Sequence, residues 1–392
     1  MLRPALLLVA LALAGCASAP EAGETRVLRL SHGLSLDHPV HLAMEAMAAH
    51  VDSASGGRLQ VAVYPSGQLG SERECLELLQ IGSLAMTKVS SSVLEGFAPA
   101  FSVFSLPYLF RDEAHRLAVF ESEVGRGLLD ATEAYRFRGL TYYDAGARSY
   151  YTVERPVLSP DDLTGLKIRV QESPTSMRMV REMGGAPTPI SWGELYTALQ
   201  QGVVDGAENN PPSFFLSRHY EVAPYYVLNE HTSVPDVLVI GTPVWDTLSE
   251  QEQAWLTEAA EASFEVQKDL WAASTEEALA AVREAGVEVV EMTAEDRQPF
   301  SARVAGMLAD ADPEVRALIE QIQAVGVEGM GGEEGMESGE GESGEAVISM
   351  NGGMEERKNG GMDEPGAKGV ASPSLLSSIL PLFHSSSLPL VR

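Results

Sequence analysis

Apolar and polar positions in the N-terminal part of the chain fall into alternating strand-like and helix-like runs. The strand-like runs are 27–30 (VLRL), 59–64 (LQVAVY) and 84–89 (LAMTKV). The helix-like runs are 40–51, entered through Asp37-His38-Pro39, and 71–81, closed by Gly82. A capping side chain followed by Pro favours a helix start, and Gly favours a helix end. Strands and helices in alternation predict an α/β architecture.

The middle of the chain repeats this alternation. We predict a strand at 166–170 (LKIRV) and a helix that begins at Ser173-Pro174. The sequence SWGE at 191–194 has the Ser-x-x-Glu form of a capping box, which predicts another helix, ending at Gly202. The chain then re-enters a sheet at 203–205 (VVD).

A long segment without Pro or Gly follows a further capping box at Ser249–Glu252 and continues to Ala285. At 1.5 Å per residue, its about 36 residues would form a helix of roughly 54 Å, with Gly286 as the C-terminal cap. A single helix of this length has to span more than one domain. Two helices with a kink near Ala272 are the alternative.

The N-terminus reads as a secretory signal. A positive start, Met1-Leu2-Arg3, precedes the apolar run 5–12, which is shorter than the about 20 residues of a transmembrane helix. The following Leu13-Ala14-Gly15-Cys16 resembles a bacterial lipobox, in which Cys16 carries the lipid. Cleavage after Ala19 without lipidation is the alternative. We assign 1–19 to the signal peptide, and both alternatives predict an exported protein.

The C-terminal part has a different composition from the rest. The terminal piece 374–392 is apolar but broken by Ser and Pro, whereas 326–369 is rich in Gly, Asp and Glu and poor in large apolar residues. Such a composition cannot bury enough surface to fold. We therefore predict that 328–392 is a low-complexity, disordered tail, and we assign it no function.

Charge and cysteine content exclude several classes of protein. The 392 residues carry 27 Lys+Arg and 56 Asp+Glu, a formal net charge of −29. This balance argues against nucleic acid as a partner, because that binding mode neutralises phosphates with Lys and Arg. The two cysteines, Cys16 and Cys75, exclude a disulfide scaffold and a Cys-rich metal site.

Motifs of common enzymes are absent from the sequence. There is no Gly-x-Ser-x-Gly, no P-loop, no His-Glu-x-x-His and no Gly-x-Gly-x-x-Gly that follows a predicted strand. His38 and His41 lie three residues apart and would supply half of a metal site, but no third ligand has matching spacing. We expect a structural or ligand-contacting role there, and no metal or cofactor.

Arg169 is the most informative charged residue, because it interrupts an apolar strand near its C-terminal end. Ligands of α/β sheets bind at that end of the strands. A buried Arg needs an anionic partner. That partner is either a ligand or an internal carboxylate such as Glu172 or Glu208.

The block from Gly165 to His231 resembles the signature region of solute-binding proteins of tripartite ATP-independent periplasmic (TRAP) transporters, and the similarity extends over about 27–325. The resemblance implies that Arg169 forms a two-pronged salt bridge with the substrate carboxylate, a task that suits the planar guanidinium. It assigns a second ligand-binding Arg to Arg148, in Gly-Ala-Arg, and an amide ligand to Asn209, in Val-Asp-Gly-x-x-Asn. Asn209 could instead be a turn residue.

Further contacts implied by the resemblance are less tied to one motif. Trp192 would pack beside the ligand, or could belong to the core. His38 starts a helix, where N–H groups favour anions. Glu72 and Ser90 occupy loop or strand-end positions that resemble ligand-contacting positions in members of the family. A solvated carboxylate in the first turn of a helix is the alternative for Glu72. Glu172 would also face the site.

The implied fold is a two-lobed α/β periplasmic binding protein with a hinge and one long helix across both lobes. Lobe I would comprise 27–146 and 235–274, and lobe II 147–234 and 275–327. The implied function is to capture an organic acid and deliver it to an integral-membrane TRAP permease. The ligand class that fits best is a sugar acid such as a uronate or aldonate. The location would be periplasmic, with Cys16 as the only membrane anchor, and no catalysis is expected.

Other functions remain open on the sequence alone. The ligand could be a dicarboxylate or a 2-oxo acid. The chain could serve an ATP-driven transporter or a sensor-coupled receptor. A secreted lyase or hydrolase acting on sugar acids is the third class, and it would need a general base with a tuned pKa.

Overall fold

A computed structural model describes residues 25–326 of the chain. The predicted signal peptide at 1–19, with Cys16, lies outside the described residues, as does the predicted tail at 328–392. Within the described part, two separate β-sheets are surrounded by helices.

The first sheet has five strands in the order β2-β1-β3-β10-β4. Its strands are β1 (Arg26–Ser31), β2 (Leu59–Tyr64), β3 (Met86–Ser90), β4 (Phe137–Tyr143) and β10 (Asp236–Gly241). β1 pairs in parallel with β2 and β3, whereas β10 runs antiparallel between β3 and β4.

The second sheet has six strands in the order β11-β9-β5-β8-β6-β7. Its strands are β5 (Arg148–Thr152), β6 (Lys167–Val170), β7 (Ala186–Pro189), β8 (Gly206–Asn209), β9 (Tyr225–Thr232) and β11 (Glu288–Glu291). β6 and β8 are parallel neighbours, and β5 is antiparallel to β8 and β9. The chain crosses between the sheets three times, after β4, after β9 and after β10.

Twelve α-helices and five 3₁₀ helices are present among the described residues. The α-helices are α1 (Pro39–Ser55), α2 (Glu72–Gln80), α3 (Ser91–Leu94), α4 (Glu113–Glu121), α5 (Glu123–Ala131), α6 (Pro174–Glu182), α7 (Leu195–Gln200), α8 (Pro211–Leu216), α9 (Thr242–Trp245), α10 (Glu250–Glu284), α11 (Ala294–Ala309) and α12 (Pro313–Ala324). The 3₁₀ helices are Pro99–Ser105, Thr132–Tyr135, Pro160–Leu163, Trp192–Glu194 and His219–Glu221.

The long helix is continuous, so the alternative with a kink near Ala272 is wrong. α10 has 35 residues and begins with a complete capping box between Ser249 and Glu252. Its end is followed by Gly286, which has φ +91°. α10 packs on α1 and β4 of the first sheet's layer and on α8 and β11 of the second. The predicted two-lobed α/β fold, with one helix across both lobes, is confirmed.

The core consists of three apolar clusters. One packs α1 and α10 on the first sheet, and another packs α7 and α8 on the second. The third extends from the aromatic side chains of Pro99–Ser105 to α6, α11 and α12. Arg111, which precedes α4, also donates to the carbonyls of Gln323 and Val325, at 2.9 and 2.7 Å. The predicted lobe boundaries stay a prediction.

Two local expectations differ from the structure. At Ser191 no helix-capping bond forms, because the hydroxyl donates to the Glu194 carboxylate at 2.7 Å and a 3₁₀ turn precedes α7. The strand predicted at 203–205 begins instead at Gly206. Val203 is half exposed, and the Asp205 carboxylate accepts the Lys167 N–H at 2.7 Å, so these residues join the strands without extending them.

Candidate ligand-binding cleft

A cavity of about 380 Å³ lies between the two sheets. Parallel strands of both sheets direct their carboxyl ends toward it: β3 ends at Ser90, and β8 ends at Asn209. This is the edge at which α/β sheets bind ligands. We call Glu72, Lys88, Ser90 and Asp236 the first wall, and Arg148, Arg169, Trp192 and Asn209 the second wall.

Arg169 lies on the second wall, and no carboxylate of the described residues binds it. It is 2% exposed, and only its Nε has a hydrogen bond, to the Ile190 carbonyl at 2.8 Å. Its Nη1 is buried and has no partner in the described part of the chain. Burial disfavours the charged form and lowers the pKa of Arg169, and repulsion from Arg148 acts in the same direction. Among residues 25–326, no carboxylate forms an ion pair with Arg169. The alternative of an internal salt bridge to Glu172 or Glu208 is therefore not observed.

Arg148, by contrast, is bound to a carboxylate. Its Nε and Nη2 donate to the two carboxylate oxygens of Glu208, and Nη2 also donates to the Glu208 carbonyl at 2.7 Å. Its Nη1 donates to Asn209 Oδ1 at 2.8 Å. Four of the five N–H groups of this guanidinium are therefore used. Its charge is balanced inside the protein, although the side chain lines the cavity.

The partner of Arg148 is firmly ionised. Burial opposes ionisation of Glu208, but the charge of Arg148 and its hydrogen bonds, with the His231 ring 3.7 Å from the carboxylate, hold the pKa of Glu208 at about 2. His231 stacks on Tyr150 with ring centroids 4.3 Å apart. Glu208 and His231 thus form a buried polar group behind Arg148 of the second wall.

Asn209 has a defined amide orientation. Its Oδ1 accepts from Arg148 and from the backbone N–H of Asn210, at 2.8 and 2.9 Å. The amide NH₂ is therefore left as a donor on the cavity lining. The capping role before the two prolines belongs to Asn210, whose Oδ1 accepts the Ser213 N–H at 2.9 Å.

Trp192 and Glu172 complete this side of the cavity. The Trp192 side chain is half buried. The Arg169 guanidinium lies over its ring, 5.8 Å from the ring centroid, in a cation–π contact. Its other neighbour is the His219 ring, with centroids 5.1 Å apart. Glu172 is half buried at the cavity edge.

The first wall is centred on a buried lysine. Lys88 Nζ lies 2.8 Å from Glu72 Oε1 and 3.1 Å from Asp236 Oδ1. Burial opposes its charge, but the two carboxylates outweigh that effect and raise its pKa above the ordinary value. The other oxygen of Glu72 accepts the Ser90 N–H at 3.2 Å. Ser90 Oγ donates at 3.1 Å to Gln171, which follows β6 of the opposite sheet.

His38 is the one predicted contact that does not line the cavity. It caps α1 through Nδ1, and its Nε2 lies 3.3 Å from the hydroxyl of Ser213, which does line it. Burial, assisted by the charge of Lys88, lowers the pKa of His38 to about 3. His41 contacts His32 at 3.0 Å. No cluster of three or more metal-binding side chains occurs within residues 25–326.

The structure therefore brings Arg148, Arg169, Trp192, Asn209, Glu72, Ser90 and Glu172 to one cavity. Four other lining residues were not predicted from the sequence: Lys88, Asp236, Gln171 and Ser213. A signal existed for two of them: Lys88 interrupts an apolar strand, and Asp236 opens the apolar run VLVI.

The fold and site agree with a known protein family. The model for bacterial extracellular solute-binding proteins, family 7 (DctP), matches residues 30–312. The chain belongs to this family. Its members are the extracytoplasmic solute-binding proteins of TRAP transporters. The predicted family is therefore confirmed, and the alternative of a binding protein for an ATP-driven transporter is not. No helix in the described part of the chain combines the length and apolarity that crossing a bilayer requires.

Individual members of the family are similar over most of their length. The uncharacterized protein YiiZ of Salmonella typhimurium is 39% identical over 284 residues, which are 72% of this chain and 85% of that protein. The C4-dicarboxylate-binding periplasmic protein DctP of Rhodobacter capsulatus is 32% identical over 293 residues, 74% and 87% of the two chains. A TRAP periplasmic solute-binding protein of Bradyrhizobium, solved with galacturonate, is 42% identical with a TM-score of 0.74, covering 76% of this chain and 99% of that one.

Proposed function

We propose that the protein captures a sugar acid, a uronate or aldonate, by its carboxylate and delivers it to a TRAP permease in the membrane. The observation that carries this proposal is the buried guanidinium of Arg169, which faces the cavity without a carboxylate partner in the described chain. A ligand carboxylate would supply the missing charge through two parallel hydrogen bonds. The galacturonate bound by the Bradyrhizobium relative supports this class of ligand.

The other polar groups of the cavity have suitable free positions. Asn209 offers its amide NH₂, and Arg148 retains one N–H on Nη1, so both can assist Arg169 at the carboxylate. Trp192 would cover the apolar face of the sugar. Glu72 and Ser90 would bind hydroxyl groups. His38 would act on the ligand through Ser213 rather than by direct contact.

The site is better suited to binding than to catalysis. The enzyme alternative needs a base that is free to accept a proton near neutral pH. Three carboxylates at or behind the cavity walls are not free, because Glu72 and Asp236 are both bound by Lys88 and Glu208 is bound by Arg148, and Glu172 at the cavity edge is only half buried. Export through the signal at 1–19 and anchoring through Cys16 complete the proposal, in which the lobes close on the ligand and the loaded form docks on an ion-driven permease.

A thermal-shift screen of the protein tests the proposal. The ligands are uronates, aldonates, dicarboxylates, 2-oxo acids and sialic acid, each in excess. A ligand at 100 times its Kd adds about 2.7 kcal/mol to stability, which raises Tm measurably. We expect the largest shift with a uronate or aldonate and none in Arg169→Ala. No shift with any acid, or an undiminished shift in Arg169→Ala, would refute the role of Arg169.

A further inference from the structure

The first wall carries more negative than positive charge. The single ammonium of Lys88 contacts two carboxylates, those of Glu72 and Asp236, at 2.8 and 3.1 Å. The three side chains are 3%, 15% and 11% exposed, so water screens them only weakly. We call these three residues the acidic cluster.

The second wall has the opposite sign. Arg148 and Glu208 cancel each other, and Arg169 adds one positive charge without an internal counterion in the described chain. An occupant of the cavity therefore lies between a cationic group on the second sheet and the acidic cluster on the first. The two ends of the ligand meet environments of opposite charge.

We propose that the acidic cluster selects ligands with one carboxylate and a hydroxyl-bearing far end, and rejects acids that carry a second carboxylate there. This inference rests on the proposed function, in which Arg169 binds the first carboxylate. It separates uronates and aldonates from the corresponding aldarates and from simple dicarboxylates.

Hydrogen-bond counting supports this selectivity. Two of the three N–H groups of Lys88 already point to carboxylates, which leaves one donor. A hydroxyl can accept that donor and can itself donate to an oxygen of Glu72 or Asp236. A carboxylate has no proton to donate and would be the third anion around one ammonium. A like charge about 5 Å away in a medium of effective dielectric about 20 weakens binding by about a hundred-fold or more.

Matched acids provide the test. Galactonate and galactarate differ only in a hydroxymethyl against a carboxylate at the far end, and galacturonate is the second acid with one carboxylate. Titration calorimetry on the protein should give a Kd for the tighter of galactonate and galacturonate at least a hundred-fold below that for galactarate. Glu72→Gln and Asp236→Asn keep an oxygen that can face Lys88 but remove one charge. We expect each to reduce this ratio at least ten-fold.

The control is Glu261→Gln, which removes one charge from an exposed position of α10 outside the cavity lining. The ratio should stay at its wild-type value in this variant. Galactarate binding within ten-fold of the tighter competing acid, or an unchanged ratio in both cluster variants, would overturn the inference. If Arg169→Ala still abolished binding in that case, the proposed function would survive. If the folded wild type bound none of the three acids, both would fail.

Discussion

Arg148 and Glu208 form a buried two-point ion pair on neighbouring antiparallel strands of the second sheet. The pair leaves Arg148 with one free N–H and positions Asn209, the next residue of β8, through its amide oxygen. Arg169, on β6, has no such partner within the described residues. Two arginines of the same cavity therefore differ in role: one supports the second wall, and the other is available to an anion.

This difference predicts opposite effects on stability. Arg148→Met leaves Glu208 as an uncompensated buried charge, which should lower the free energy of unfolding by about 3–5 kcal/mol. Arg169→Met removes a buried charge that has no counterion among residues 25–326, so the ligand-free variant should be as stable as wild type or more stable. Urea unfolding without ligand measures both. A large loss in Arg169→Met would show that Arg169 has a structural partner after all.

The ionisation of Glu208 predicts acid sensitivity. Its pKa is about 2 in the folded protein against an ordinary 4.5. A lowered folded pKa stabilises the protein above pH 4.5, and this contribution is lost as the pH falls toward 2. Between pH 5 and 3 the loss from this one group is about 2 kcal/mol. Glu208→Gln should be less stable than wild type at pH 7. Between pH 5 and 3, its free energy of unfolding should fall by about 2 kcal/mol less than that of wild type, measured by urea unfolding at these pH values.

Glu182→Gln is the matched control for this experiment, because it removes a carboxylate from the half-buried ion pair with Arg178 on α6. It should retain the wild-type decrease between pH 5 and 3. An equal decrease in wild type and Glu208→Gln would contradict the assigned ionisation.

The ends of the elements were predictable where local pattern decides them. Ser249 and Gly286 marked both ends of α10, and the capping box there is complete. The same Ser-x-x-Glu pattern failed at Ser191, because the Ser191 hydroxyl bonds only to the Glu194 side chain. The neighbouring Ile190 carbonyl binds Arg169, a contact across 21 residues that no local pattern contains.

The partner of each arginine depends on strand register, which the sequence does not display. Glu208 lies opposite Tyr150, two residues from Arg148 on the same strand and therefore on the same face. Arg169 lies opposite Ala207, so its side chain leaves the sheet on the other face from Glu208. Lys88 gained its two carboxylates in the same way, from a helix start and from a strand 148 residues later.

His38 predicts a second pH effect, at milder acidity. Its pKa is about 3 when folded and 6.5 ordinarily, because burial excludes the charged form. The unfolded chain therefore takes up a proton below pH 6.5 that the folded protein does not. Stability should fall by about 2 kcal/mol between pH 7 and 5 from this residue alone. His38→Asn keeps a preferred N-cap side chain and should abolish that part of the decrease in urea unfolding.

His50→Asn controls for the general loss of a histidine, since His50 is 37% exposed and lies 3.9 Å from Glu258. It should unfold with the wild-type dependence on pH. The role given to His38 would be wrong if both variants behaved alike.

Gly146 joins the two sheets at a point where the long helix approaches closely. It follows β4 with φ +57°, and a Cβ placed there would lie 3.0 Å from Nε1 of Trp271 on α10. Gly146→Ala should therefore lose about 1–2 kcal/mol for the left-handed backbone and more for the contact. Gly56→Ala, just after α1, has a similar positive φ, at +62°, but its Cβ would meet no atom of the described residues within 4 Å. The difference between the two variants in the free energy of unfolding isolates the Trp271 contact. Equal losses would mean that Trp271 moves aside without cost, and that this crossing segment tolerates a side chain where the helix spans the two lobes.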